Sequence, residues 1–130
     1  MIYKYQKEIQ TKLAKNLLDT IILQYLDKES MHGYQLITKI RKDFGVYLGP
    51  STIYPLLGLL EKKAYVKSAW NMNTDRPRKV YTLTADGKSI LKLTEDSLNL
   101  ICKSLAVKAG LKADDVTLQV PTQRMMTCRQ

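Results

Sequence analysis

The chain has 130 residues, a length that suits one domain with an appended helix and allows a hydrophobic core. Its 45% apolar and 25% charged residues are ordinary globular values, which excludes disorder of the whole chain. The formal net charge of +9 points to a polyanionic partner, either nucleic acid or an anionic membrane surface. A soluble protein that is merely basic would have the same composition, so charge alone does not decide the function.

Several protein classes are excluded by short patterns. The apolar runs are interrupted by charge or glycine and residues 1–8 lack a signal-peptide stretch, so we expect a cytoplasmic protein without membrane contact. Cys102 and Cys128 have no His or Cys at metal-ligand spacing, which predicts reduced thiols and no metal site, with Cys102 in a core. No phosphate-binding or dinucleotide-binding glycine pattern occurs, and His32 is interpreted as a turn residue, so we predict no enzyme and no cofactor.

The first part of the chain predicts two helices. Apolar residues recur at helical spacing from Leu13 to Leu26 and indicate one long first helix. Ser30 is then predicted to cap a second helix over residues 31–43, which ends at Gly45.

A third helix is predicted from about Ser51 to Lys63, with Ser51 or Thr52 as its cap and Pro55 tolerated near the first turn. Its apolar positions, expected to face the core, are Ile53, Leu57 and Leu60. The opposite face carries Ser51, Tyr54, Gly58 and Lys62.

The remainder predicts a hairpin followed by a long helix. Residues 64–70 and 79–83 have strand character, and the polar segment 71–78 between them is typical of a protruding hairpin loop. Thr84 is predicted to cap a last helix over residues 85–107, which carries two apolar stripes. One stripe is Leu91, Leu98, Ile101 and Leu105; the other is Ile90, Leu93 and Leu100.

This order of elements predicts a mainly α fold with a small β-hairpin (α+β), the winged helix-turn-helix plan with a long C-terminal helix. We assign residues 10–84 to the winged helix, residues 85–109 to the last helix, and no structure to the tail 110–130. From Lys28 to Lys88 there are eleven Lys or Arg and five Asp or Glu, a net charge of +6. Candidate DNA contacts are therefore Lys39, Lys42, Ser51, Tyr54, Lys62, Arg76, Arg78 and Lys79.

Three motifs resemble the PadR family of winged-helix repressors. They are His-Gly-Tyr-Gln-Leu at 32–36, Ser-Thr-Ile-Tyr-Pro-Leu-Leu-Gly-Leu-Leu-Glu at 51–61, and Arg-Lys-Val-Tyr-Thr-Leu-Thr-Ala-Asp-Gly at 78–87. Their order and spacing match over roughly residues 16–91. The chain departs from the family pattern at Ser51, where glycine is common, at Ile53, where leucine is usual, and in a last helix without tryptophan.

The resemblance implies a homodimer joined through the last helix, for which the stripe containing Leu91, Leu98, Ile101 and Leu105 is the expected interface. It also implies double-stranded DNA with two-fold symmetric half-sites as the partner, and it adds Tyr34 and Thr52 to the DNA contacts. Some members respond to phenolic acids or hydrophobic drugs near the dimer interface. Trp70 is the candidate effector contact, although we interpret it first as a packing residue.

The leading hypothesis is a sequence-specific transcriptional regulator, a repressor that acts as a homodimer on an inverted-repeat operator and is released by a small hydrophobic or phenolic effector. The alternative from another class is a winged-helix protein-interaction module without specific DNA binding. That module would more often expose apolar anchors on the third helix, whose outer face here is polar and small.

Overall fold

The computed structural model describes residues 2–73 and 75–111. Its helices are α1 (Ile2–Asn16), α2 (Leu18–Lys28), α3 (Gly33–Phe44), α4 (Pro50–Lys62) and α5 (Ala85–Lys108). Its strands are β1 (Met31–His32), β2 (Val66–Asn71) and β3 (Arg78–Leu83). The predicted α+β winged-helix class with a long C-terminal helix is confirmed, and β1 is an addition to the predicted order. Of the predicted tail 110–130, all but residues 110 and 111 lies outside the described residues, as does Cys128.

The chain divides into two compact units, residues 1–91 and residues 92–130. The first contains α1 to α4, the sheet and the beginning of α5, and the second contains the rest of α5. The predicted division into residues 10–84, 85–109 and 110–130 stays a prediction.

The prediction of one first helix is wrong, because the chain forms two helices separated at Leu17. The backbone of Leu17 leaves helical geometry (φ −104°, ψ 13°), yet its N–H still donates to the Leu13 carbonyl at 3.1 Å. One residue of distortion leaves the apolar spacing almost unchanged, so the sequence pattern runs through the break. Leu13 is exposed, while Leu18 lies in the core.

The cap of α3 is also different from the prediction. His32, and not Ser30, is the N-cap: its Nδ1 accepts from the Gln35 N–H at 3.3 Å, while the Gln35 side chain accepts from the His32 N–H at 3.0 Å. This reciprocal pair is a capping box. The predicted end is confirmed, because Gly45 adopts the left-handed conformation (φ 68°) that favours glycine.

Helix α4 begins one residue earlier than predicted. Gly49 is the N-cap and makes no side-chain cap, since Pro50 occupies the first helical position, where its fixed φ and missing N–H cost nothing. Ser51 and Thr52 consequently lie inside the first turn and are not caps. At the other end Ala64 has a left-handed φ of 63°, so that the Tyr65 N–H reaches the Leu60 carbonyl at 3.0 Å.

The sheet has the order β1-β3-β2 with antiparallel pairs throughout, and β2 and β3 form the hairpin, from Val66 opposite Leu83 to Asn71 opposite Arg78. Thr84 caps α5 as predicted, because its Oγ1 accepts from the Gly87 N–H at 3.0 Å. The same hydroxyl donates to the Ala64 carbonyl at 2.6 Å, which ties the start of α5 to the turn after α4.

The core of the first unit confirms the predicted inner face of α4. Ile53 and Leu57 are completely buried and Leu60 is nearly so. Leu91 belongs to the same core and is 3% exposed, so the expectation that it lines a dimer interface is wrong. The spacing of apolar residues on a helix predicts that one face is buried, but it does not identify the surface that packs against that face. The prediction that Cys102 lies in a core is also wrong, because its side chain is exposed.

Candidate nucleic-acid interface

The first turn of α4 presents a polar surface. Ser51 and Thr52 are exposed there, and their hydroxyls are not used as helix caps. The first backbone N–H groups of a helix lack helical partners and favour anions. In α4, however, Pro50 has no N–H, and the Thr52 N–H already donates to the Gly49 carbonyl at 3.0 Å, so this turn offers a phosphate mainly its exposed hydroxyls.

Tyr54 follows these residues on α4, and its ring packs against Gly33 at the start of α3. Its ring lies where a side chain on Gly33 would be, since a Cβ added to Gly33 would come within 2.5 Å of Tyr54 Cε1. The ring is nevertheless 44% exposed. Packing and outward exposure are thus combined in one side chain, with Gly33 leaving the space that the ring needs.

Between α3, α4 and the hairpin lies a groove with a cavity volume of 690 Å³. It is lined by aromatic rings and cations, namely His32, Tyr34, Tyr54, Trp70, Arg76, Pro77, Arg78, Lys79 and Tyr81. We call it the aromatic-basic groove. It brings together five of the predicted DNA contacts: Tyr34, Tyr54, Arg76, Arg78 and Lys79.

Both strands of the hairpin are fixed to the end of α4 by Glu61. The Ser68 hydroxyl donates to Glu61 Oε2, and Lys79 Nζ lies 3.6 Å from Oε1. The Ser68 hydrogen bond and the Lys79 charge lower the pKa of Glu61. Since both partners remain about one-third exposed, the ion pair is worth about 0–1 kcal/mol. A phosphate that used Lys79 would share it with this carboxylate.

His32 and Arg78 meet at the edge of the groove. Arg78 Nη1 lies 2.8 Å from His32 Nε2, although the two residues are 46 positions apart. Burial and, after it, the Arg78 charge lower the pKa of His32. Both effects favour the neutral form of the ring. The sequence-based interpretation of His32 as a turn residue missed this contact, although the His-x-x-Gln spacing of the capping box is visible in the sequence.

The other predicted contacts lie outside the aromatic-basic groove. Lys42 and Lys62 are exposed, and Lys39 Nζ lies 3.9 Å from Glu29 Oε1. These positions, like Ser51 and Thr52, remain predicted DNA contacts.

The interpretation of Trp70 as a packing residue is wrong. Its indole is 63% exposed on β2 and lines the groove. Tyr34 is 66% exposed and lines the same groove. Strand and helix propensities favour aromatics on any half-covered surface, and the pattern did not reveal that this surface faces outward.

Among residues 2–73 and 75–111, none of the helices combines the length and apolar character that crossing a bilayer requires. The same part of the chain contains no group of three His, Cys, Asp or Glu placed to bind a metal ion.

Comparison with known families gives one match in sequence. The family described as "Transcriptional regulator PadR-like family" matches residues 22–93, more than half of the chain. The matched segment contains α3, α4, the sheet and the aromatic-basic groove. A comparison with curated proteins found no significant match.

Solved structures give similar results. A transcriptional regulator from Clostridium thermocellum is 28% identical, covering 75% of this chain and 96% of that one, with a TM-score of 0.66. A PadR family transcriptional regulator from Eggerthella lenta is 25% identical, covering 83% and 95%, with a TM-score of 0.73. Bacillus subtilis PadR in complex with operator DNA is 28% identical over 58% of this chain and 44% of that one, with a TM-score of 0.54.

Proposed function

Because the chain belongs to the PadR-like family of transcriptional regulators, we propose that it binds operator DNA as a homodimer on an inverted repeat and represses transcription there. The observation that carries the proposal is the aromatic-basic groove beside the exposed first turn of α4. A helix with an apolar inner face and a polar outer face can enter the major groove while its hairpin rests on the neighbouring backbone.

The charges and hydroxyls divide the work between affinity and selectivity. Arg76, Arg78 and Lys79 are suited to phosphates, which set affinity and register. The first turn of α4 has no charged or amide side chain, so direct readout of base edges is modest. Half-site spacing and DNA shape then supply much of the selectivity.

If the chain binds DNA as proposed, substitutions of Arg78 and Tyr54 should change DNA binding in different ways. Arg78→Gln should weaken binding to every sequence and reduce the slope of log affinity against log salt by about 1, because one phosphate contact is lost. Tyr54→Ala should lower the ratio of operator to random-DNA affinity by about tenfold. Gel shifts at several salt concentrations, on DNA upstream of its own gene and on random duplex, measure both quantities.

Lys67→Gln is the matched control, since Lys67 is exposed on β2 and points away from the strand face that carries Ser68 and Trp70. It removes the same charge and should leave the salt slope nearly unchanged. Equal affinity of the wild type for the upstream fragment and for random duplex at physiological salt would contradict the proposal.

The proposed homodimer is supported by the apolar surface of the second unit. Ile101 is 55% exposed and Leu105 61% exposed, while Leu98 is partly buried. These residues lie on one face of α5 at helical spacing and are expensive to leave in water. Leu91 is removed from the expected interface because the core of the first unit already covers it.

Replacing Ile101 and Leu105 together by Glu should convert the dimer into a monomer and abolish tight operator binding, because two half-sites can no longer be held at once. Sedimentation velocity measures the first effect and footprinting the second. Asn99→Glu, on the opposite face of the helix, should leave the dimer intact. A double variant that sediments like the wild type would show that this face is not the interface.

The proposed release by a small effector is supported by Trp70, whose exposed indole offers a stacking surface for a flat hydrophobic or phenolic molecule. In the aromatic-basic groove such a molecule would compete with DNA. Thermal-shift titration of the wild type and Trp70→Ala with phenolic acids and hydrophobic cations tests this part.

The second candidate, a protein-interaction module, is favoured by one observation: three large aromatic side chains are exposed around the groove, namely Tyr34, Tyr54 and Trp70. Aromatic residues are the commonest anchors of protein interfaces. The cations between them favour nucleic acid over an apolar partner surface. Specific footprinting separates the two candidates.

A further inference from the structure

The His32 ring connects two elements of the first unit. Its Nδ1 lies 3.3 Å from the Gln35 backbone nitrogen, where it caps α3. Its Nε2 lies 2.8 Å from Arg78 Nη1 on β3. Both of these neighbours are N–H groups, and neither can accept a hydrogen bond.

A neutral imidazole cannot satisfy both neighbours, because one of its nitrogens carries a proton and only the other accepts. In one tautomer Nε2 accepts from Arg78 Nη1 at 2.8 Å, and the cap at Nδ1 is lost. In the tautomer that keeps the capping box, Nδ1 is the acceptor and the proton of the ring lies on Nε2. Nε2–H and Arg78 Nη1–H are then two donors that face each other at 2.8 Å. An acceptor that takes both protons resolves this arrangement and keeps the cap.

The space around the pair suits an anion. His32, Arg76 and Arg78 line both the aromatic-basic groove and a second cavity of 690 Å³ on the other side. Asp75 is the one acid among the residues that line these two cavities, against Arg76 and Arg78, while Lys79 is already paired with Glu61. The excess of cations favours a negatively charged acceptor oxygen.

We propose that His32 Nε2–H and Arg78 together hold one phosphate oxygen of the bound DNA, which makes His32 a direct phosphate contact of the interface. The inference rests on the proposed function, since it needs DNA beside the hairpin. The neutral His32 ring donates a hydrogen bond but carries no charge, whereas Arg78 supplies a hydrogen-bond donor and a positive charge. Loss of His32 therefore weakens binding without changing the salt slope, which is the opposite of the signature of a lost cation.

His32→Asn tests this directly. Asn is among the best N-cap residues, and its amide oxygen replaces Nδ1 while the donor at Nε2 is lost. We expect a melting temperature equal to or above that of the wild type. Affinity for the fragment upstream of its own gene should fall about tenfold, as for loss of a hydrogen bond to a charged group, with the salt slope unchanged.

Ethylation interference on the same fragment locates the contact. In each half-site, ethylation of one phosphate should weaken binding of the wild type and should no longer weaken binding of His32→Asn. Ethylation of the same phosphate should also have no effect on binding of Arg78→Gln. The double variant should lose less affinity than the product of the two single losses, because the two side chains share one oxygen. Nitrogen-15 spectra of the ring should show the proton on Nε2 in the free protein and a shift of that signal on DNA binding.

The outcomes are distinguishable. If His32→Asn lowers the salt slope by about 1, as Arg78→Gln does, His32 only positions Arg78 and the proposal is overturned. An unchanged affinity and an unchanged ethylation pattern would also overturn it. If the wild type does not prefer the upstream fragment over random duplex, the proposed function fails. The phosphate contact is then tested by the affinity for random duplex, which His32→Asn must still lower.

Discussion

Gly87→Ala is expected to lower the melting temperature by about 10–20 °C, because there is no space for a methyl group at this position. A Cβ on Gly87 would lie 2.0 Å from the Tyr65 carbonyl oxygen and 2.7 Å from Leu83 Cδ1. The first neighbour is backbone and cannot rotate away. That carbonyl also accepts from the Thr84 N–H at 3.1 Å, so moving it disturbs the start of α5.

The expected cost is about 3 kcal/mol, at the upper end for an added methyl group in a packed site, and it converts to the stated shift for a domain of this size. Thermal unfolding followed by circular dichroism measures it. Gly58→Ala is the matched control: Gly58 lies inside α4 with nothing within 4 Å of an added Cβ, and the substitution should stabilise by about 0.5–1 kcal/mol. Equal stability of the two variants would contradict the packing at Gly87.

Leu57→Ala is expected to destabilise the protein by about 2–5 kcal/mol, because Leu57 is completely buried and the substitution leaves a cavity. Leu59→Ala on the same helix should stay within about 0.5 kcal/mol, since Leu59 is 46% exposed. Urea unfolding of both variants gives the two free energies. The difference measures how strongly the inner face of α4 holds this helix, whose outer face we propose for DNA.

The opposite result would be informative as well. If Leu59→Ala were the more damaging variant, α4 would be rotated about its axis relative to the structure. The outer face would then no longer carry Ser51 and Tyr54, and the proposed interface would have to move with it.

The two faces of α4 were predictable because helical geometry fixes which residues share a side. Ile53, Leu57 and Leu60 repeat at three and four positions, and they are buried. Ends set by local chemistry were partly predictable. Gly45 and Thr84 end and begin their helices as expected, whereas Pro50 moved the start of α4 away from Ser51.

Side chains whose surroundings come from distant parts of the chain were not predictable in the same way. Trp70 was interpreted as a packing residue and is exposed, and Leu91 was assigned to a dimer surface and lies in the core. In both cases the pattern identified an apolar residue on an ordered element. It carried no information about which other element, if any, lies against it.

The amino-acid sequence by itself determined the family, the winged-helix class and the positive charge of residues 28–88, because motif spacing, periodicity and composition are properties of the chain. Only the tertiary structure brought His32 to Arg78 and the Tyr54 ring onto Gly33. Those contacts depend on how β3 and α4 pack against the start of α3. Packing is decided by the shape of the whole core, which no local pattern of residues records.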